Sequence, residues 1–389
     1  MTSSGLFAFN AGSSSIKVGI FRVEAALQRV ATASIDLRHK PTVLKLTTES
    51  TTRDLTLGKD VSDLLPLVEE LVGVLCEECG LGDLLGVGHR IVHGGNLFTD
   101  ATAVNEKSLE MIRSLIPLAP LHQPQGLHLI EAMRSLRPEL PQSASFDTVF
   151  HRTQDERRRR FALPREFEDQ GIKRYGFHGL SYKFIAAALR KRDPAFAAGR
   201  VVVAHLGSGA SLCGLVNGVS RDTSMSFSTL DGIPMATRPG SLDAGVLLYL
   251  LQQRGWSAEA LEDLLYHRSG LLGISGVSAD TRDLLSSSLP EARQALELFT
   301  LATAREAAGI ATTMGGLDGI VFTGGIGEHQ PQIRAAVCAQ LTWLGTRLDA
   351  RANEEGMFRI DAPASRVALA VLATDEEQVI AEEALDVLG

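Results

Sequence analysis

The sequence predicts an α/β protein of two similarly built halves, and three observations carry that prediction. Short apolar strand patterns alternate with helical periodicity from end to end, which points to layers of sheet and helix. The N-terminus runs Leu6-Phe-Ala-Phe9, then Asn10-Ala-Gly-Ser-Ser-Ser15, then Ile16-Lys-Val-Gly-Ile-Phe21: an apolar strand, a small-residue turn and a second strand. Near the middle the plan returns as Arg200-Val-Val-Val-Ala204, His205-Leu-Gly-Ser-Gly-Ala-Ser211 and Leu212-Cys-Gly-Leu-Val216, closed by an Asn217-Gly218 turn. Two halves that open alike imply an internally duplicated, two-domain chain with a cleft between its halves.

The remaining elements follow in order. Helical spacing with charges outside marks Val61 to Leu81, Ser108 to Ile116, Ala258 to Leu265 and Glu291 to Met314, the last long enough for a major helix. Cys76 and Cys79 form a C-x-x-C inside the first of these, with no second Cys or His pair nearby, and read as plain helix-face cysteines. Arg157 to Arg160, beside Asp155 and Glu156, reads as a solvated helix face. Gly319-Ile-Val-Phe-Thr323 is a strand that runs into the glycine turn Gly324 to Gly327, with a helix from Pro331. Val367 to Leu372 repeats the strand, and Thr374-Asp-Glu-Glu377 fits a capping box that opens a last helix.

Length and charge exclude several classes. With 389 residues the chain has room for two or three domains. Its 38 basic against 46 acidic residues give a net charge of −8, which disfavours nucleic acid as a partner. No apolar run approaches the roughly 18 residues of a membrane span. The start, Met1-Thr-Ser-Ser-Gly5-Leu6, lacks the basic region and long apolar region of a signal peptide, so the expected location is the cytoplasm.

Three Gly/Ser-rich turns follow strands, at Gly12 to Ser15, Gly207 to Ser211 and Gly324 to Gly327. Backbone amides in such turns can surround phosphate oxygens with no side chain in the way, and Lys17 stands one strand beyond the first. None fits the P-loop or the Rossmann fingerprint. His89-Arg-Ile-Val-His93 lacks the glutamate of the helical metalloprotease motif; read as a strand, it puts Arg90 and Val92 on one face, a guanidinium beside a small apolar wall. That pairing suits a short carboxylic acid. Further polar islands sit beside Gly, Pro or aromatic residues that pin the backbone: Leu118-Ala-Pro-Leu-His122, Phe146-Asp-Thr-Val-Phe-His151, Arg174-Tyr-Gly-Phe-His-Gly179 and Ala236-Thr-Arg-Pro-Gly240.

Taken in order with Asn10 to Lys17, His89 to Gly95, Asp222-Thr-Ser-Met225, Ser269 to Gly276 and Thr323-Gly-Gly-Ile-Gly-Glu328, these segments closely resemble the acetokinase family of short-chain carboxylate kinases, from residue 6 to about 382. The resemblance implies a duplicated two-domain actin-like ATPase (acetate and sugar kinase) fold with an interdomain cleft. It also implies a homodimer, and reversible phosphoryl transfer between ATP and acetate, giving acetyl phosphate and ADP, with magnesium, or manganese in its place. On this reading residues 1–148 plus about 373–389 form the acid-substrate and metal domain, and residues 149–372 the nucleotide-binding and dimerisation domain.

Carried over position by position, Arg90 resembles the arginine that holds the substrate carboxylate, with Val92, Leu121 and Phe177 around the methyl group. Asp147, Asn10 and Glu376 match the acidic and amide groups near magnesium, the capping box accounting for Glu377. His178 and Arg238 match groups that stabilise the transferring phosphoryl, with His122 close by. Lys17, His205-Leu206-Gly207-Ser208-Gly209, Asp280-Thr281-Arg282 and Gly325-Ile326-Gly327-Glu328-His329 fall on the nucleotide side. Four departures stand out: Ser208 for the usual asparagine, Thr229 for a proline lining the acid pocket, Ser241 for aspartate after Gly240, and Gly179-Leu-Ser-Tyr182 for Gly-Thr-Ser-His.

Acetate is already ionised at pH 7, so attack on phosphorus needs no proton removed, and Asp147 is expected to orient metal-bound water rather than act as a base. What remains is positioning and neutralisation of a loose in-line transition state. Two alternatives stay open from the sequence: a kinase for propionate or butyrate, since one methylene is worth only about 1–3 kcal/mol in an apolar pocket, and an actin-like nucleotide switch.

Overall fold

The computed structural model describes residues 4–12, 15–36, 41–59 and 64–389; Ser13 and Ser14 of the first Gly/Ser turn, and Val61 at the head of the first expected helix, lie outside the described residues. The chain divides into two compact units, Met1–Phe150 with Asp375–Gly389, and His151–Thr374.

The first unit holds β1 (Ser4–Ala11), β2 (Ser15–Val23), β3 (Leu27–Asp36), β4 (Val43–Thr48), β5 (Thr52–Thr56), β6 (Leu84–Ile91), β7 (Thr102–Ala103) and β8 (Gln142–Phe146), in the order β5-β4-β3-β2-β1-β6-β8-β7. Asn10 and Ala11 belong to β1, paired with Lys17 and Ile16, so the first turn is shorter than the Asn10 to Ser15 expected. The cause is the period of two: Phe7, Phe9 and Ala11 line the core together with Ile16, Val18 and Ile20, which carries the strand two residues further and leaves Asn10 on the opposite face. That core is closed by Leu67, Leu71 and Leu75 of the helix Leu64–Glu78 and by Leu129 and Met133 of the helix Gln123–Leu136. The helix Glu376–Leu388 packs over β1, β6 and β8. It approaches so closely that a Cβ on Gly88 would lie 2.7 Å from Ile380 Cγ2 and 3.0 Å from its carbonyl oxygen, so β6 must carry glycine there.

The second unit holds β9 (Arg200–Leu206), β10 (Ala210–Val216), β11 (Val219–Thr223), β12 (Gly319–Thr323) and β13 (Ala368–Val371), in the order β11-β10-β9-β12-β13. β3-β2-β1-β6-β8 of the first sheet has the same plan: two antiparallel hairpin partners on one side of the opening strand, two parallel strands on the other. The duplication read from the two openings extends to five strands each. The Asn217-Gly218 turn has both residues at positive φ, 52° and 74°, as a tight hairpin requires. The helix Pro290–Met314 packs on β9, β10 and β11, and Gly214 admits it: a Cβ there would lie 2.4 Å from Ile310 Cγ2.

Three local readings are corrected. Gly324 to Gly327 is not an open turn but the first part of a short helix, Gly324–His329, because the Glu328 carboxylate accepts from the Gly324 amide at 2.9 Å and folds the segment onto itself. The last helix is capped by Asp375, whose carboxylate accepts from Gln378 N, rather than by a Thr374–Glu377 box. Arg157 to Arg160 is not simply a solvated face, since Arg158 pairs with the buried Asp222 and Arg160 with Glu168. The helix Ala244–Gln252, absent from the sequence reading, is apolar yet has no buried residue. The four cysteines are free, and among the described residues no helix is long and apolar enough to cross a membrane.

Candidate active site

In the first unit the site grows from the C-terminal ends of β1, β6 and β8. Arg90 lies next to the end of β6, and Asp147 directly follows β8, whose register sets Ile91 opposite Phe146. Arg90 Nη2 donates to Asp147 Oδ2 at 2.6 Å and Nε to the same oxygen at 3.0 Å, while Nη1 donates to Asn10 Oδ1 at 3.2 Å and to the Ala11 carbonyl at 3.3 Å. Among the described residues, four of its five donor hydrogens are engaged, which leaves one on Nη2 for an incoming carboxylate. Asp147 is fully buried, which pushes its carboxyl up from the usual range against the pull of Arg90. Burial likewise opposes the charge on Arg90, but Asp147, Glu376 and Glu377 outweigh it and hold the guanidinium protonated.

Asn10 is the hub. Its Nδ2 donates to Glu376 Oε2 and to Glu377 Oε1, both at 2.8 Å. Burial raises the Glu377 carboxyl, Glu376 raises it further and Lys17, across the β1–β2 ladder from Asn10, opposes both. Glu377, explained away from the sequence as a helix cap, is therefore part of this cluster. Its donors are hard oxygens and its two adjacent carboxylates repel, the condition a divalent cation relieves. Among the described residues no group of three His, Cys, Asp or Glu side chains forms a ready-made metal cage.

The apolar wall is held by a residue the sequence reading missed. Gln123, buried at the start of its helix, accepts from His93 N at 3.0 Å and donates to His93 O at 3.0 Å, which fastens the helix start that follows Leu121 and His122 to the chain just after Val92. Gly126 lets that helix reach β6: a Cβ on it would lie 3.1 Å from the Arg90 carbonyl oxygen.

In the second unit His178 precedes the helix Gly179–Arg192 with φ 56° and ψ 25°, a left-handed conformation that costs a non-glycine residue about 1–2 kcal/mol. Its ring stacks on that of His205, centroids 4.5 Å apart. A Cβ on Gly209 would lie 3.3 Å from His178 Nε2 and 2.9 Å from Arg238 Nη2, so both groups converge on the Gly207–Gly209 turn between β9 and β10. Arg238 Nη1 donates to the Thr229 carbonyl at 2.9 Å. Among the described residues no carboxylate pairs with it, and burial lowers it to about 10, still protonated at neutral pH. Phe177 is buried beside His178.

The other nucleotide-side segments also meet. Gln330 Nε2 donates to Thr281 Oγ1 at 2.5 Å, joining Asp280-Thr281-Arg282 to the end of the helix Gly324–His329 that carries Gly325, Ile326 and Gly327. Asp280 caps the helix Thr281–Ser286 and pairs with Arg282, while His329 is exposed. Ser208 is exposed at the tip of its turn, and its carbonyl accepts from Ala236 N at 3.2 Å, two residues from Arg238.

The profile of the Acetokinase family matches residues 6–382. The chain belongs to the acetokinase family. It is 46% identical over 385 residues to the acetate kinase of Rhodopseudomonas palustris, covering 97% of this chain and 96% of that one. It is 43% identical over 388 residues to that of Rhizobium meliloti, covering 99% and 98%. Among solved structures, a propionate kinase from Francisella tularensis superposes with a TM-score of 0.92 at 33% identity, covering 99% of this chain and all of that one. The acetate kinase of Porphyromonas gingivalis gives 0.88 at 33% identity, with both chains covered in full. This acetokinase thus has the actin-like ATPase fold of its family, with the duplicated sheet plan described above.

Proposed function

We propose that this chain transfers the γ-phosphoryl group of ATP reversibly to acetate, giving acetyl phosphate and ADP. The observation that carries the reading is Arg238: a half-buried guanidinium with no carboxylate partner among the described residues, converging with His178 on a Gly-Ser-Gly turn. A partly desolvated cation with no carboxylate beside it is poised for an arriving anion, and the charge spread over the oxygens of a transferring phosphoryl group is such an anion. Arg90, already neutralised by Asp147, keeps one donor open among the described residues, and Val92 and Leu121 are assigned as the apolar wall, an arrangement that suits a small carboxylate.

Because the acid is ionised at neutral pH, no general base is required, and Asp147 serves by fixing Arg90. Asn10, Glu376 and Glu377 are the residues that would hold a magnesium ion, Lys17 tempering their charge. Such an ion, when bound, supplies neutralisation of nucleotide phosphate charge. His205 to Gly209, Asp280 to Arg282 and Gly325 to His329 are assigned to the nucleotide, and Phe177 and Thr229 to the acyl side. Four free cysteines accord with a cytoplasmic location.

The functional assembly is a homodimer. Leu248 and Tyr249 of the helix Ala244–Gln252 are 53% and 51% exposed, and Leu242, Val246, Leu298 and Leu301 of the same unit are exposed as well. An apolar surface of this kind is what a second copy of the chain would cover.

Hydroxamate trapping with ATP and magnesium over formate, acetate, propionate and butyrate tests the reaction. Acetate is expected to give the highest kcat/KM. A higher value for propionate would move the assignment to the activity named for the Francisella protein. ADP formation independent of any acid would replace it with a nucleotide switch.

A further inference from the structure

The sequence departs from its family at Tyr182, where histidine is usual, and the structure gives that departure a use. Tyr182 lies four residues after His178, on the same face of the first helical turn. Its hydroxyl is 2.5 Å from Ser211 Oγ, and Ser211 Oγ is 2.8 Å from His178 Nδ1. Both Tyr182 and Ser211 are fully buried. Ser211 stands in this chain of contacts because β10 pairs it with His205, the histidine whose ring stacks on His178.

We propose that Tyr182, acting through Ser211, is a positioning residue that fixes His178 as the neutral Nε2–H tautomer, with that hydrogen directed to the phosphoryl group beside Arg238. The inference rests on the role given to His178 above. Of the three groups in line, the phenol is the strongest acid and the imidazole nitrogen the best acceptor. The favoured direction is therefore Tyr182 O–H to Ser211, and Ser211 O–H to His178 Nδ1, which leaves the ring proton on Nε2. Nε2 is the nitrogen nearest Gly209, where Arg238 also arrives. The stack supports the same state, because two imidazoliums 4.5 Å apart, with a guanidinium close by, would repel. A second contact of like design holds the partner ring: Ser181 Oγ is 2.8 Å from His205 Nδ1 and 2.9 Å from Thr374 Oγ1. The Ser211 contact at Nδ1 and the stack on His205 thus hold the ring of a residue whose backbone is left-handed.

The test is a double-mutant cycle with a spectroscopic arm. Tyr182→Phe removes only the hydroxyl, and Ser211→Ala breaks the same line at its middle, so either variant serves if the other folds poorly. Each is expected to lower kcat about tenfold, with KM for acetate and ATP within about twofold and a melting temperature within a few degrees of wild type. In a His178→Gln background neither should lower kcat further. Long-range 1H–15N spectra of histidine-labelled protein, with the His178 signals assigned by their loss in His178→Gln, should show Nε2–H in wild type and a mixture of tautomers in Tyr182→Phe. Full turnover in both variants, additive losses in the cycle, or an unchanged tautomer would overturn the proposal. Full turnover in His178→Gln itself would instead remove the role given to His178, a result the single variants of Tyr182 and Ser211 cannot produce.

Discussion

Arg90 and Arg238 are both half-buried cations, yet their surroundings assign them opposite tasks. Arg90 arrives already neutralised by Asp147, so its remaining donor selects a substrate, whereas Arg238 has no carboxylate among the described residues, donates to the Thr229 carbonyl and awaits charge. Arg90→Ala should raise the acetate KM about 10- to 100-fold and leave that for ATP within about threefold, the worth of a charged hydrogen bond. The same change strands Asp147, a buried carboxylate, at a cost of about 3–5 kcal/mol. Adding Asp147→Asn should therefore recover much of the lost melting temperature while the acetate KM stays high; an equal loss for both substrates would count against the assignment. Arg238→Ala should lower kcat by about 10² or more with smaller changes in KM, as expected of donors aimed at developing charge. A rise in the ATP KM at intact kcat would make it a ground-state contact instead. Thr229→Pro keeps the carbonyl that holds Arg238, and among the described residues no hydrogen bond from the Thr229 amide is lost. It should shift the ratio of propionate to acetate efficiency without abolishing turnover, and an unchanged ratio takes Thr229 out of the acyl pocket.

Elements show which parts of this molecule were legible in advance. The two opening hairpins could be read because a strand, a small-residue turn and a strand are local, and their shared plan needed no long-range knowledge. Helix Pro290–Met314 was legible for the same reason, its period being sustained over seven turns. The residues that hold the site together were not. Gln123 acts on His93 thirty positions earlier, Glu377 on Asn10 across 367, and Ser211 on His178 across 33, so their partners exist only once sheet order and register are set. The site residues themselves came from resemblance, since Arg90 or His178 alone looks like any arginine or histidine. The helix Ala244–Gln252 gives no helical period in the sequence because its apolar residues, Val246, Leu247, Leu248, Tyr249, Leu250 and Leu251, run together without a polar face. That property has a measurable consequence. Leu248→Glu with Tyr249→Glu should convert a dimer to a monomer in sedimentation velocity; a wild-type chain that sediments as a monomer would dismiss the assembly outright.

At the scale of the whole molecule, three buried histidines tie stability to pH. His89 is 2.8 Å from Gln142 through Nε2, His93 Nδ1 accepts from Gly95 N, and His151 contacts Ser220 and the Phe177 carbonyl through its two nitrogens. Burial lowers each to about 4 from an ordinary value near 6.5. Below pH 6.5 the unfolded chain takes up protons that the folded chain refuses, so stability falls as pH drops toward 4; above 6.5 the rings are neutral in both states and add no slope. Each histidine contributes at most about 1.4 kcal/mol per pH unit inside that window. Two of the three belong to the unit Met1–Phe150 with Asp375–Gly389, and one to His151–Thr374. Urea unfolding between pH 7.5 and 5.5, above the range where most carboxylates titrate, should therefore show stability falling with acid, more steeply in the first unit if two transitions separate. His89→Gln removes one titrating group while keeping a partner for Gln142, and should flatten the dependence by about one proton. A slope identical to wild type would show that His89 protonates freely in the folded protein, and that the Phe9 ring stacked on it leaves water a path to the imidazole.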